Sequence, residues 1–159
     1  MRKNSKTVVL AKLAIVCALY AAMTFAVAPI GYGIFQIRIS EVLVLLAFFD
    51  KRYVISLTLG CLIANIMSPF GISDIIFGTL GTLFSTYLIS KTKNMFLGSF
   101  WPTIFCLPVV YFLHIFAHLP FWISLVGFSL GEFISVTVVG YPLYKALIKR
   151  KKFLEIIKL

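Results

Sequence analysis

The sequence predicts an all-α membrane protein, a compact bundle of six transmembrane helices that forms a single domain over residues 1–159, with both termini in the cytoplasm. The chain is 61% hydrophobic and only 13% charged, which is too apolar for a soluble domain of 159 residues. Fourteen of its fifteen Lys and Arg residues fall in four clusters between long apolar stretches, as the positive-inside rule describes. The clusters are the N-terminus with the start of the first helix, two short turns and the C-terminus (Arg2, Lys3, Lys6, Lys12; Lys51, Arg52; Lys91, Lys93; Lys145, Lys149, Arg150, Lys151, Lys152, Lys158).

The six helices are placed between these clusters, since a membrane-spanning helix needs about 20 apolar residues. They are predicted at 8–28, 38–50, 52–68, 73–90, 96–117 and 120–148. Pro and Gly mark the outer turns at 29–33, 68–71 and 118–120, and basic residues mark the inner turns at 50–52 and 90–94. Connections this short make neighbouring helices antiparallel, which predicts a compact bundle.

The first helix is expected to be retained, although the N-terminus has features of a signal peptide. Ala26-Val27-Ala28 resembles a cleavage site that follows a basic start and an apolar run. Pro29 comes next and disfavours cleavage, and the apolar run is close to full spanning length.

Small residues form a stripe along this first helix. Ala14, Ala18, Ala22 and Ala26 recur every four residues and therefore share one face. Small residues let helices approach closely in lipid, so the stripe predicts either packing inside the bundle or docking of a partner protein.

The second helix, 38–50, is too short to cross the membrane alone. We expect the preceding segment, Gly31 to Ile37, to fold back into the outer half of the bundle. Irregular backbone is tolerated at membrane depth only where it is buried in protein or lines a wet cavity. Outer loop 1 is therefore predicted to cap a ligand cavity.

Four charged residues lie on the side away from the basic clusters: Arg38, Glu41, Asp74 and Glu132. A charge near the bilayer centre costs about 2.5–3.5 kcal/mol on insertion scales. Glu132 lies about eleven residues into the last helix, roughly 16 Å deep at the rise of an α-helix. Three carboxylates against one Arg leave a surplus negative charge, which a cationic or strongly hydrogen-bonding ligand would offset. Structural roles stay open, because Asp74 could cap its helix and Glu132 could pair with Arg38.

Other polar and aromatic side chains are expected near the same depth, namely Gln36, Ser40, Asn65, Trp101 and His114. Amides supply hydrogen bonds and flat aromatics stack on planar ligands. Trp122 and His118 are assigned to the interfacial belt.

Several functional classes are not supported by the sequence. His114 and His118 are spaced i, i+4, but no Cys or carboxylate nearby in sequence completes a metal site, so neither a metal nor a cofactor is predicted. The chain has no GxxxxGK[ST], GxSxG or HExxH motif, so no enzyme is predicted. The net charge of +10 lies beside apolar spans, where anionic lipid, not nucleic acid, is the expected partner.

Three sequence blocks together resemble the QueT-type family of queuosine-precursor transporters over nearly the whole chain. They are Phe35-Gln36-Ile37-Arg38-Ile39-Ser40-Glu41, then Gly60-Cys61-Leu62-Ile63-Ala64-Asn65 followed by Asp74-Ile75-Ile76-Phe77-Gly78-Thr79-Leu80, and finally Gly131-Glu132. The resemblance implies a substrate-binding S-component of an energy-coupling factor transporter. Such a subunit captures its ligand from outside and docks on a transmembrane T-component that carries two ATP-binding-cassette ATPases. The family's docking pattern fits Ala14, Ala18 and Ala22.

The cargo implied by the resemblance is a 7-deazaguanine, preQ1 or preQ0. One carboxylate can accept both N–H groups of a guanine-type edge, and a second can meet the ammonium of preQ1. Glu132 or Glu41 is expected to read the edge, and Asp74 or the other Glu to meet the ammonium. Asn65 or Gln36 would meet O6, Trp101 or His114 would contribute to the site, and Arg38 would orient Glu41 or the loop.

Three alternatives remain at this stage. The chain could be an S-component for another planar amine such as thiamine. It could be an intramembrane hydrolase that uses Glu132 and Asp74, or a structural subunit without a ligand.

Overall fold

Helices occupy all six segments that the sequence predicts, and no strand occurs in the part of the chain that is described. The structure is a computed structural model that describes residues 5–31 and 36–159, except for the side chains of residues 29 and 30. The helices are α1 (Lys6–Ala26), α2 (Ala28–Gly31), α3 (Ile39–Phe48), α4 (Tyr53–Asn65), α5 (Asp74–Gly78 continued by Thr79–Lys91), α6 (Met95–Ala117), α7 (Phe121–Leu147) and α8 (Lys151–Ile157).

Three of these helices are long and apolar enough to cross a membrane, counting only the described residues: Lys6–Ala26, Met95–Ala117 and Phe121–Leu147. The shorter apolar helices Ile39–Phe48 and Tyr53–Asn65 fall below that length. The apolar helices support a membrane location. The number of crossings and the side on which the termini lie stay predictions.

The third helix is wound more tightly than an α-helix. α3 is a 3-10 helix over all 10 of its residues, and such runs seldom exceed a single turn or two. A 3-10 helix rises about 2.0 Å per residue, so ten residues reach about 20 Å where an α-helix would reach about 15 Å. The winding therefore lengthens the helix that the sequence identified as too short.

Two later helices contain wider π-helical segments. α5 starts with one at Asp74–Gly78, and α7 contains another at Phe133–Gly140, directly after Glu132. Segments of this kind are rare in proteins overall, but those that occur often lie at functional sites. Both place an acidic residue where the winding changes.

The first and fourth helices form a close pair. At Gly60, a Cβ atom would lie 2.8 Å from Tyr20 Cβ and 2.9 Å from the carbonyl oxygen of Cys17, so only glycine permits this approach. Ser56 also donates a hydrogen bond to the carbonyl oxygen of Leu13 at 2.5 Å. The face of α1 that packs on α4 is therefore not the alanine stripe.

The alanine stripe faces outward. Ala14, Ala18, Ala22 and Ala26 are all exposed. Of the two interpretations offered by the sequence, packing inside the bundle is therefore wrong.

α3 lies at the centre of the bundle, between α1, α5 and the π-helical part of α7. Its Val44 and Leu45 are fully buried, together with Leu57 of α4 and Val136 of α7. A second apolar cluster joins α6 to α7 through Val110, Leu113 and Phe128.

The terminal helix α8 was not expected, because the sequence was interpreted there as a basic tail. Its Ile157 is buried, and Tyr53 donates a hydrogen bond to the Ile157 carbonyl oxygen at 3.0 Å. Lys12 donates another to the carbonyl oxygen of Lys158 at 2.6 Å. Helix α8 thus packs against the end of the bundle at which the basic residues lie.

Candidate ligand-binding site

A cavity opens between α3, α5, α6 and α7. It holds about 420 Å³ of atom-free space, its open mouth included. Its polar wall consists of Gln36, Arg38, Glu41, Asp74, Thr82, Ser85 and Glu132. Its apolar wall includes Pro102, Phe105, Cys106, Val109 and Phe128. The four charged residues that the sequence grouped by their side of the membrane therefore share one cavity.

Arg38 is held by groups from three parts of the chain. Its Nη1 donates to Asn65 Oδ1 at 3.0 Å, its Nη2 forms an ion pair with Asp74 Oδ2 at 3.2 Å, and its Nε donates to the Gly31 carbonyl oxygen at 3.3 Å. The side chains of Arg38, Asn65 and Asp74 are almost fully buried. The ion pair therefore joins Arg38 to Asp74, whereas the sequence had offered Glu132 as its structural partner.

Asp74 does not cap its helix, so that interpretation is wrong. The N-cap position of this helix is Ser73, and the carboxylate of Asp74 accepts from Arg38. Asn65 completes the arrangement, because its Nδ2 donates to the backbone oxygen of Asp74 at 3.1 Å while its Oδ1 accepts from Arg38. Asn65 and Asp74 thus support Arg38 from one side, and both oxygen and nitrogen of the Asn65 amide are engaged within the protein.

Glu41 is bound by a residue that the sequence did not single out. The hydroxyl of Tyr20 on α1 donates a hydrogen bond to Glu41 Oε1, and both side chains are buried. Next to them, the hydroxyl groups of Thr24 and Ser40 bond each other at 2.7 Å. Nothing in the sequence distinguishes Tyr20 as a partner of Glu41, since it is one of seven tyrosines and lies in an alanine-rich apolar run.

Glu132 has a different environment from the other two carboxylates. Its Oε2 atom is buried and has no hydrogen-bond partner among the described residues. A buried polar atom without a partner carries a desolvation penalty, so such an atom in a cavity marks a position for a ligand group.

The chain is similar to known proteins over most of its length. The family model described as QueT transporter matches residues 10–149. This chain belongs to the QueT transporter family. A curated relative, the queuosine precursor transporter QueT of Lactococcus lactis subsp. cremoris (strain MG1363), is 32% identical over 160 residues, which cover 90% of this chain and 94% of the relative. No solved structure matches the chain.

QueT family membership confirms the resemblance that the sequence blocks around Arg38, Asn65 and Glu132 predicted. Two of those blocks meet in the structure, since Arg38 of the first contacts Asn65 and Asp74 of the second. The third contributes Glu132 across the same cavity.

Three predicted site residues of this QueT family member do not line the cavity, namely Asn65, which bonds Arg38 and Asp74, and the two aromatic residues Trp101 and His114. Trp101 lies near the basic turn that precedes α6, where its Nε1 donates to Thr92 Oγ1 at 2.9 Å. His114 lies near the other end of α6, with its Nδ1 2.6 Å from the Leu119 carbonyl oxygen and its ring edge-on to Phe121. The side chains of Trp101 and His114 engage the turns that flank α6, and their part in ligand binding stays a prediction.

Among the described residues, the aromatic side chains that line the cavity are Phe105 and Phe128. The sequence could not distinguish them among its 16 phenylalanines. Gln36 lines it as well, with a left-handed backbone (φ 38°) that is uncommon outside glycine. The predicted loop over the cavity falls largely on residues 32–35, which lie outside the described residues.

Proposed function

We propose that this chain is the substrate-binding S-component of an energy-coupling factor transporter, and that it captures a queuosine precursor, preQ1 or preQ0, from outside the cell. The observation that supports the cargo most directly is the pair of carboxylates in the cavity. Arg38 is matched by Asp74, which leaves Glu41 and Glu132 as surplus negative groups, and Glu132 has a buried oxygen without a partner among the described residues.

A 7-deazaguanine suits these groups chemically. Its edge carries two parallel N–H donors, which one carboxylate can accept in bidentate fashion. The aminomethyl group of preQ1 is a cation that would offset a second carboxylate. Phe105 and Phe128 offer apolar surfaces for a flat ring. The relative from Lactococcus lactis is named for the same class of cargo.

The proposed partners are a transmembrane T-component and two ATP-binding-cassette ATPases, which would supply the energy for uptake. The alanine stripe of α1 supports this part of the proposal, because Ala14, Ala18 and Ala22 are exposed and are not buried against the rest of the bundle. Small exposed residues on a membrane helix permit close approach of another helix. The proposal includes six membrane crossings with both termini in the cytoplasm.

Binding of preQ1 to the purified chain, measured by calorimetry without partner proteins, tests the proposed cargo. We expect saturable binding that preQ0 competes for and that thiamine does not. Glu132→Gln should weaken preQ1 binding by about tenfold or more, the effect of losing a hydrogen bond to a charged group. Glu155→Gln is the matched control, since Glu155 is exposed on α8, and its affinity should be unchanged.

Two results would contradict the proposal. If the folded wild-type chain binds no deazapurine, the cargo is wrong. If Glu132→Gln binds preQ1 as well as Glu155→Gln does, Glu132 is outside the site.

A further inference from the structure

The two surplus carboxylates of the cavity differ in how far the protein already engages their oxygen atoms. Glu41 has one oxygen, Oε1, engaged by the hydroxyl of Tyr20. Glu132 makes no hydrogen bond to any described residue through either oxygen, and its Oε2 is buried. This difference bears on which ligand group each carboxylate can bind.

The position of Tyr20 is fixed by its surroundings. Its side chain is fully buried, and its Cβ faces Gly60 at the closest approach of α1 and α4. The neighbouring hydroxyl groups of Thr24 and Ser40 form a hydrogen bond with each other. Among the described residues of α1, it is therefore the Tyr20 hydroxyl that contacts Glu41. Tyr20 therefore holds one oxygen of Glu41 in place from outside the cavity.

A carboxylate held in this way is a poor reader of a two-donor edge. Bidentate recognition of two parallel N–H groups uses both carboxylate oxygens in one plane. Oε1 of Glu41 already accepts the Tyr20 hydroxyl, which makes it the weaker acceptor for a second donor and fixes its orientation, whereas neither oxygen of Glu132 is engaged by a described residue. An ammonium group carries three donors on a rotatable bond, so one of them can be turned toward a single charged oxygen.

We infer that the two carboxylates divide the recognition of the ligand, an inference that rests on the proposed function. Glu132 reads the two-donor edge of the heterocycle. Glu41 forms the subsite for the ligand's ammonium, and Tyr20 is the positioning residue that fixes the charged oxygen of Glu41. Tyr20 thereby determines the preference for a cationic 7-substituent over a neutral one.

The test compares two ligands that differ in this substituent, the aminomethyl compound preQ1 and the cyano compound preQ0. Calorimetric affinities of both are measured for the wild-type chain and for Tyr20→Phe, Glu41→Gln and Glu132→Gln. We expect Glu41→Gln and Tyr20→Phe to weaken preQ1 by about tenfold or more, and preQ0 by less than about threefold. Glu132→Gln should weaken both ligands by a similar factor, because both carry the same edge.

The matched control is Tyr53→Phe. Tyr53 is also buried and donates one hydrogen bond, to the Ile157 carbonyl oxygen, but it does not line the cavity. Loss of the Tyr53 hydroxyl should lower the free energy of unfolding about as much as loss of the Tyr20 hydroxyl does. The ratio of preQ1 affinity to preQ0 affinity should nevertheless stay at the wild-type value. If Tyr20→Phe does not fold, the isosteric Glu41→Gln still carries the test.

The outcomes separate the inference from the proposed function. Equal loss of preQ1 and preQ0 affinity in both Tyr20→Phe and Glu41→Gln would overturn the inference while the proposed function stands. Loss of preQ1 affinity alone in Glu132→Gln would also overturn it, because the two roles would be exchanged. If the folded wild-type chain binds neither ligand, the proposed function fails and the inference fails with it.

Discussion

Gly78 permits the buried cluster of Arg38, Asn65 and Asp74 to close. A Cβ atom at this position would lie 2.5 Å from Asp74 Oδ1 and 2.8 Å from Asn65 Nδ2. Asp74 cannot easily move away, since its other oxygen is paired with Arg38. The Arg38 charge at the cavity wall is therefore neutralised only because position 78 has no side chain.

Replacing Gly78 by alanine should consequently destabilise the protein. Asp74 or Asn65 must shift, and overpacking of a buried site costs about 1–3 kcal/mol. The thermal unfolding midpoint of Gly78→Ala in detergent should fall clearly below that of the wild type. Gly98→Ala is the control, because a Cβ there meets its nearest atoms at 3.8 Å, an ordinary contact. Equal midpoints for the two variants would show that the cluster tolerates a side chain at 78.

The sequence predicted which charged residues gather but not how they pair. Arg38, Glu41, Asp74 and Glu132 could be grouped because charges in apolar helices must avoid lipid. Pairing depends on the rotation of each helix about its own axis, which no local pattern encodes. Tyr20 was missed for a related reason, since its importance comes from a neighbour 21 residues away in the chain.

At the level of elements, the ends of the helices were predictable and their winding was not. Turns such as Ser68–Gly71 are marked locally by Pro and Gly, and the left-handed Gly71 (φ 63°) accounts for one of them. The 3-10 winding of α3 and the π-helical turns of α5 and α7 have no such local marker. They are expected to follow from packing, since α3 must fit between α1, α5 and α7.

The exposed alanine face of α1 leads to a prediction about partner docking. Ala18→Trp places a large side chain in the middle of the stripe, which should prevent another helix from approaching closely. Uptake of preQ1 by cells that express the complete transporter should be lost, while binding to the isolated chain stays at the wild-type level.

Leu19→Trp is the control for this experiment, because Leu19 is already a large residue and is 48% exposed beside the stripe. It should retain uptake. Normal uptake by Ala18→Trp would exclude the alanine face as the docking surface.

At the scale of the whole molecule, the proposed orientation can be tested by chemical labelling. A variant lacking Cys17, Cys61 and Cys106 is given single cysteines at two exposed turn positions, Pro69→Cys or Lys93→Cys. With six crossings and cytoplasmic termini, a membrane-impermeant maleimide should label position 69 in intact cells. Position 93 should react only after permeabilisation, as the positive-inside rule predicts for a basic turn. The reverse pattern would contradict the proposed orientation.

The cavity wall and the exposed alanine face lie on different helices of the bundle. Among the described residues, the cavity walls come from Gln36, Arg38, α3, α5, α6 and α7, and none comes from α1 or α4. The exposed alanine face belongs to α1, which reaches the cavity wall through the hydrogen bond from Tyr20 to Glu41 and the contact of Thr24 with Ser40. Substitutions in the cavity wall can thus accumulate without altering the exposed alanine face, which is the docking surface under the proposed function.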